Sequence, residues 1–194
     1  MQALLTIVVL LQGSLPSAPP PVQPTTDLLR VALRAGLDTL YGGDFERAPA
    51  YFAGLAARDT TQSAPVVFQA GAYIWWAAAL DSATFELPRI DSLLSVALRR
   101  APPGPGAGGG GGGEAEFWRA TALGYRARQR EVNGHSFGAA KDAKAMRDIY
   151  RRLLAADSSC ADCYLGLGVY EYGLARAGAL ARFFARLIGL GSGD

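Results

Sequence analysis

Histidine occurs once in this chain and cysteine twice, and of 19 basic residues only Lys141 and Lys144 are lysines. Each scarcity removes a class of chemistry. A structural zinc site needs four ligands, and His135 is the only histidine. Haem attachment needs a histidine after the second cysteine of a C-x-x-C, where Tyr164 stands. No strand–helix–strand context surrounds that pair, so Cys160 and Cys163 read as a disulfide or an incidental thiol pair rather than a redox centre. The 19 basic and 17 acidic residues leave a net charge of +2, without the clustered excess of a nucleic-acid binder. Six consecutive glycines at 108–113 have no preceding strand and no following Lys-Ser/Thr, which excludes a phosphate loop. The carboxylates of Glu46, Asp59, Asp81, Glu86 and Asp91 are scattered, and His135 has neither a nucleophile nor an orienting acid near it in sequence. The expectation is a non-enzyme without metal or cofactor.

What the chain does contain is helix after helix, in 194 residues that are 50% hydrophobic and 19% charged. The short apolar run Leu4 to Leu11 fits a signal-peptide core better than a span of ~20 apolar residues. Residues 1–18 are read as that signal, 19–26 as a proline-rich linker and 27–194 as one helical domain. Helical spacing marks a first helix from Asp27 to Leu40, stopped by Gly42 and Gly43, and a second from Asp44 with Pro49 in its opening turns. A third, Pro65 to Leu80, is apolar on all sides and belongs inside a stack. A fourth carries Ile90, Leu94 and Leu98, with Arg99 and Arg100 at its negative end. The proline- and glycine-rich stretch 101–113 is expected to be a flexible loop. Helices follow over 114–132, over 137–156 with Ser136 as N-cap, from Ala161, and around Leu180 to Ile188. In the sixth, Phe137, Met146, Ile149, Tyr150 and Leu153 face the core. Lys141, Lys144, Arg147, Asp148, Arg151 and Arg152 take the solvent side, Asp148 pairing with Lys144 and Arg152.

The helices come in pairs, and the pairs repeat. Gly42 to Ala48 and Gly134 to Ala140 share a spacing and each opens the second helix of a pair, ending near Asp59 or Asp157. Leu-Gly steps recur at Leu123-Gly124, Leu165-Gly166 and Leu167-Gly168. On the segment Gly43-Asp44-Phe45-Glu46-Arg47-Ala48, continuing through Phe52 and Leu55, and on Tyr164, Leu167 and Gly168, the chain resembles the tetratricopeptide repeat family. The stretch Ala161 to Asp194, with its Tyr-Leu-Gly-Leu-Gly-Val-Tyr run and Phe183-Phe184, further resembles exported bacterial proteins with such repeats. That resemblance implies a right-handed superhelix of antiparallel helix pairs. The repeat spacing exceeds the family's ~34 residues, and Lys144 falls where the first repeat has Phe52. The end at Gly193-Asp194 reads as a truncation.

The function implied is a protein- or peptide-binding scaffold of the bacterial cell envelope. Lys141, Lys144, Arg147 and Arg151 on the sixth helix, with Tyr164, Tyr170 and Tyr172 on the seventh, are its candidate contact residues. The rival reading is a membrane-associated structural protein, held by the uncharged segment 60–80 or by the amphipathic segment 178–190 as a peripheral membrane contact.

Overall fold

A computed structural model describes residues 27–104 and 112–176, and these form seven α-helices and no strand. They are α1 (Asp27–Tyr41), α2 (Arg47–Arg58), α3 (Ala64–Ala79), α4 (Leu87–Arg100), α5 (Gly112–Val132), α6 (Ser136–Ala156) and α7 (Ala161–Arg176). Gly112 and Gly113, expected in the loop, instead open α5. The signal and linker segments at 1–26 and the helix expected around 180–188 lie outside the described residues. Each helix packs on its neighbours in sequence, and the odd-numbered helices also meet in succession, α1 with α3, α3 with α5 and α5 with α7. That is the contact order of stacked helix pairs.

Two turns carry the repetition. Gly43 and Gly134 both adopt positive φ, +86° and +79°, where a side chain would be strained. After each, an amide reaches back to a carbonyl five residues earlier, Asp44 to Thr39 and His135 to Arg130, the Schellman closure of a helix end. The equivalence therefore pairs Gly43, not Gly42, with Gly134, and Phe52 with Ala143 rather than Lys144. His135, not Ser136, occupies the cap of α6, and it makes no side-chain cap bond, because that closure already commits the backbone one residue earlier. The other ends of α2 and α6 match as well. Asp59 accepts from the amide and hydroxyl of Thr61, at 2.8 and 2.6 Å. Asp157 accepts from those of Ser159, at 2.9 and 2.6 Å. These are twin Asx turns that lead the chain into α3 and α7.

Helix α3 is buried along most of its length, from Ala64 to Ala77, and packs on α1, α2, α4 and α5. No helix among the described residues is long and apolar enough to cross a membrane. Arg100 does not serve its own helix end. It donates to the carbonyls of Ala56 and Gln62, while Arg119 of α5 meets the carbonyls of Leu98 and Ala101 at the end of α4. Each guanidinium thus satisfies a carbonyl that a helix end leaves open, and Arg100 also one in the turn between α2 and α3.

A chain of rings runs through the stack. Phe52 stacks on Phe68 at 5.5 Å, Phe68 meets Trp118 edge-on at 5.4 Å, and Phe117 beside it reaches Tyr150 at 5.8 Å. Glycines close both ends. A methyl group on Gly36 of α1 would stand 2.4 Å from the Phe52 ring, and one on Gly166 of α7 would stand 2.4 Å from Tyr150. Burial pushes the Tyr150 phenol up to about 12, even though its hydroxyl lies 2.9 Å from Thr121 Oγ1. Gly36→Ala should therefore cost about 1–3 kcal/mol through overpacking. Gly54→Ala, on the exposed side of α2 with nothing within 4 Å, should gain about 0.5–1 kcal/mol from helix propensity. Urea unfolding of the two variants checks the opposite signs.

Candidate binding surfaces

The residues singled out on α6 and α7 divide between surface and core. Lys141 and Arg151 are exposed, and Lys144 is half-buried in a 2.6 Å pair with Asp148. Arg147, expected in solvent, is only 8% exposed. It donates to the Asp148 carboxylate and lies over the Tyr170 ring, 5.8 Å from its centre. Tyr170 is itself 6% exposed, a core residue rather than a contact residue, because α7 turns that edge onto α6. Tyr164 and Tyr172 are exposed, and Arg176 lies over the Tyr172 ring. Phe137, placed in the core by spacing, is exposed. Arg152 gives its ion pair to Glu116 of α5 and only a backbone contact to Asp148. Cys160 and Cys163 are joined as a disulfide at the start of α7, with Cys163 fully buried.

A cleft of about 470 Å³ lies between α5 and α6, with Pro103 and Gly104 after α4 also lining it. Arg119, Arg126, Lys141 and Arg152 bring positive charge to it, and Glu116, Asp142 and Asp148 negative charge, while Leu123, Ala145 and Ile149 give it apolar wall. Asp142 is its buried anchor. Arg126 binds it in a two-point fork, both bonds 2.7 Å, and Arg130 adds a third at 2.5 Å. Spacing along one helix could not find this cluster, since its partners come from α5.

A second surface follows the odd-numbered helices. Tyr41 at the end of α1 is 70% exposed and Trp75 of α3 is 51% exposed, and their rings meet edge-on at 6.4 Å. Tyr125 of α5 adjoins them. Its phenol is raised first by burial and then by the neighbouring Tyr41, and its hydroxyl stands 3.1 Å from where a side chain on Gly71 would begin. Neither Tyr41 nor Trp75 was a candidate by sequence, and Trp75 belongs to the helix expected inside the stack, yet it is half exposed. Compared with protein-family models, curated proteins and solved structures, the chain matches none of them.

Two outcomes follow for the charged cluster. Asp142→Asn leaves two arginines without their carboxylate and should cost about 2–4 kcal/mol, somewhat under the figure for a fully buried pair because Arg130 is partly exposed. Replacing Asp142 and Arg126 together by leucine and methionine should cost less than the single change, and chemical denaturation measures both. The Asp148 carboxyl, which burial alone would raise, is held below its ordinary 3.8 by Lys144 and Arg147. A depressed folded value stabilises fully above 3.8 and is lost as pH falls through it. Stability should thus decline below about pH 4, and Asp148→Asn should flatten that decline in an acid titration followed by circular dichroism.

Proposed function

We propose that this chain is a non-catalytic scaffold of tetratricopeptide-like helix pairs that binds a protein or peptide partner on the surface shared by its odd-numbered helices. The observation that carries this reading is where the exposed large apolar side chains lie. Leu28, Val31 and Tyr41 are on α1, Trp75 on α3, Val132 on α5, and Tyr164, Leu165, Val169 and Tyr172 on α7. The even-numbered helices contribute Tyr51 and Phe137. Exposed large apolar residues concentrated on one set of helices mark an interaction face more often than a solvated one. The tetratricopeptide-like reading is supported by the glycine of a first helix lying against a large residue of the second, Gly36 against Phe52 and Gly124 against Met146. Export to the cell envelope is supported by the Cys160–Cys163 disulfide, a bond that persists in oxidising compartments.

The test is crosslinking capture in the source cells with the full chain and with a Tyr41→Ser/Trp75→Ser variant. Both side chains are largely exposed, so folding should be retained. Truncating a central aromatic pair typically costs ~2 kcal/mol of binding, roughly 30-fold. A partner captured by the wild type and lost from the variant is the expected result. Equal capture by both proteins would rule this face out.

A further inference from the structure

Two of the three carboxylates lining the cleft between α5 and α6 are buried, and the bases that hold them are accessible. Arg126 exposes 25% of its side chain and Arg130 36%, against 5% for Asp142, and Arg152 exposes 55% against 8% for Glu116. The third, Asp148, already holds Lys144 and Arg147. Lys141 adds an exposed ammonium with no partner among the described residues. A solute in the cleft therefore meets cations before carboxylates. With the bases paired to these acids included, seven basic side chains stand against three acidic ones. That local excess of four exceeds the +2 of the whole chain, so the positive potential of the molecule is concentrated here. Burial, and after it the like charge of Arg126, pull the Arg119 guanidinium below its ordinary value, against a weaker opposing pull from Glu116. An anion entering the cleft relieves that repulsion.

We propose that this cleft binds an extended acidic segment of a partner protein, two carboxylates of which straddle one apolar side chain. The partner clause rests on the scaffold reading, whereas the chemistry of the cleft does not. The spacing of the cations sets the pattern. Arg126 holds Asp142, which follows Lys141 in the chain, and these mark one end of the cleft. Arg152 holds Glu116, three residues before Arg119, and these mark the other. Arg119 and Arg126 are seven residues apart on α5, and Lys141 and Arg152 eleven apart on α6, about 10 and 16 Å at the helical rise. Leu123, Ala145 and Ile149 line the cleft between those ends. In an extended chain residues i, i+2 and i+4 share a face, and i to i+4 spans about 13 Å. An acid-x-apolar-x-acid segment thus puts a carboxylate at each end and its apolar residue on the wall. Arg126 spends Nε and Nη2 on Asp142, and Arg119 spends Nη1 on two carbonyls, so each guanidinium keeps a nitrogen uncommitted. A nucleic-acid strand, charged at every nucleotide, would leave that apolar wall unused.

The experiment titrates the full chain into a dye-labelled, end-blocked Glu-Ser-Leu-Ser-Glu peptide, followed by fluorescence anisotropy. Gln-Ser-Leu-Ser-Gln with the same label and a labelled oligothymidylate are run beside it. The acidic peptide should saturate, the glutamine peptide should not, and the acidic peptide should bind more tightly than the oligothymidylate. Lys141→Glu should weaken the acidic peptide about tenfold, with folding retained because Lys141 is exposed and unpaired. Glu116→Gln/Arg152→Gln removes an accessible cation together with its buried acid, so no carboxylate is left alone and the lining charge is unchanged. It should still weaken the peptide about threefold or more, an effect that net charge alone would not give. Peptide binding without any partner captured from the source cells would leave the cleft standing and remove the scaffold reading. The cleft proposal is overturned if the acidic peptide fails to saturate the wild type or if the glutamine peptide binds as well. It is equally overturned if the oligothymidylate binds as tightly, or if both variants bind the acidic peptide as the wild type does.

Discussion

The row of rings from Phe52 through Phe68, Trp118 and Phe117 to Tyr150 is the contact on which the stack depends. It begins against the bare backbone of Gly36 and ends against that of Gly166. Six of the seven helices therefore share one continuous packed line, and α4 joins through the second cluster, where Ile90 and Leu94 pack with α3. Trp118 touches two of the three apolar clusters, and Phe117 beside it packs on the third. Aromatic pairs in such offset and edge-on arrangements add about 0.5–1.5 kcal/mol each beyond the area they bury. Their geometry also fixes helix spacing, which small aliphatic residues alone would leave looser.

Polar groups do the complementary work at the helix ends. Arg100 and Arg119 reach across to carbonyls of other helices, and Ser63 donates to the carbonyl of Ala97. Buried carbonyls left unpaired would cost more than the rings supply locally. The arginine richness of the chain thus has a structural use in part: one guanidinium nitrogen of each side chain bonds two carbonyls, and its charge strengthens both bonds.

The helices were legible in the sequence almost to their ends, because apolar spacing, Gly43, Gly134, Pro65 and Asp157 all act locally. Contacts across helices were less legible. Arg147 and Tyr170 lie on faces that look solvent-exposed or accessible on their own helices, and only the packing of α7 on α6 covers them. Asp142 drew no notice, since its partners Arg126 and Arg130 are on the preceding helix and no periodicity links them. The register of the repeat was read one residue early because two adjacent glycines are indistinguishable until one of them takes positive φ. Glu116 drew no notice either, since its ion-pair partner Arg152 is on the following helix.

The twin turns give the chain two comparable halves, but the halves are not alike in length or lining. From the left-handed glycine to the following Asx turn, α6 is about two helical turns longer than α2. Carrying that register back, Arg126, Arg130 and Asp142 correspond to Ala35, Thr39 and Tyr51. The charged clasp that lines the α5–α6 cleft therefore has no counterpart between α1 and α2. The broken symmetry makes the two ends of the stack chemically distinct, one closed by apolar packing alone and the other by a clasp of two arginines on one carboxylate.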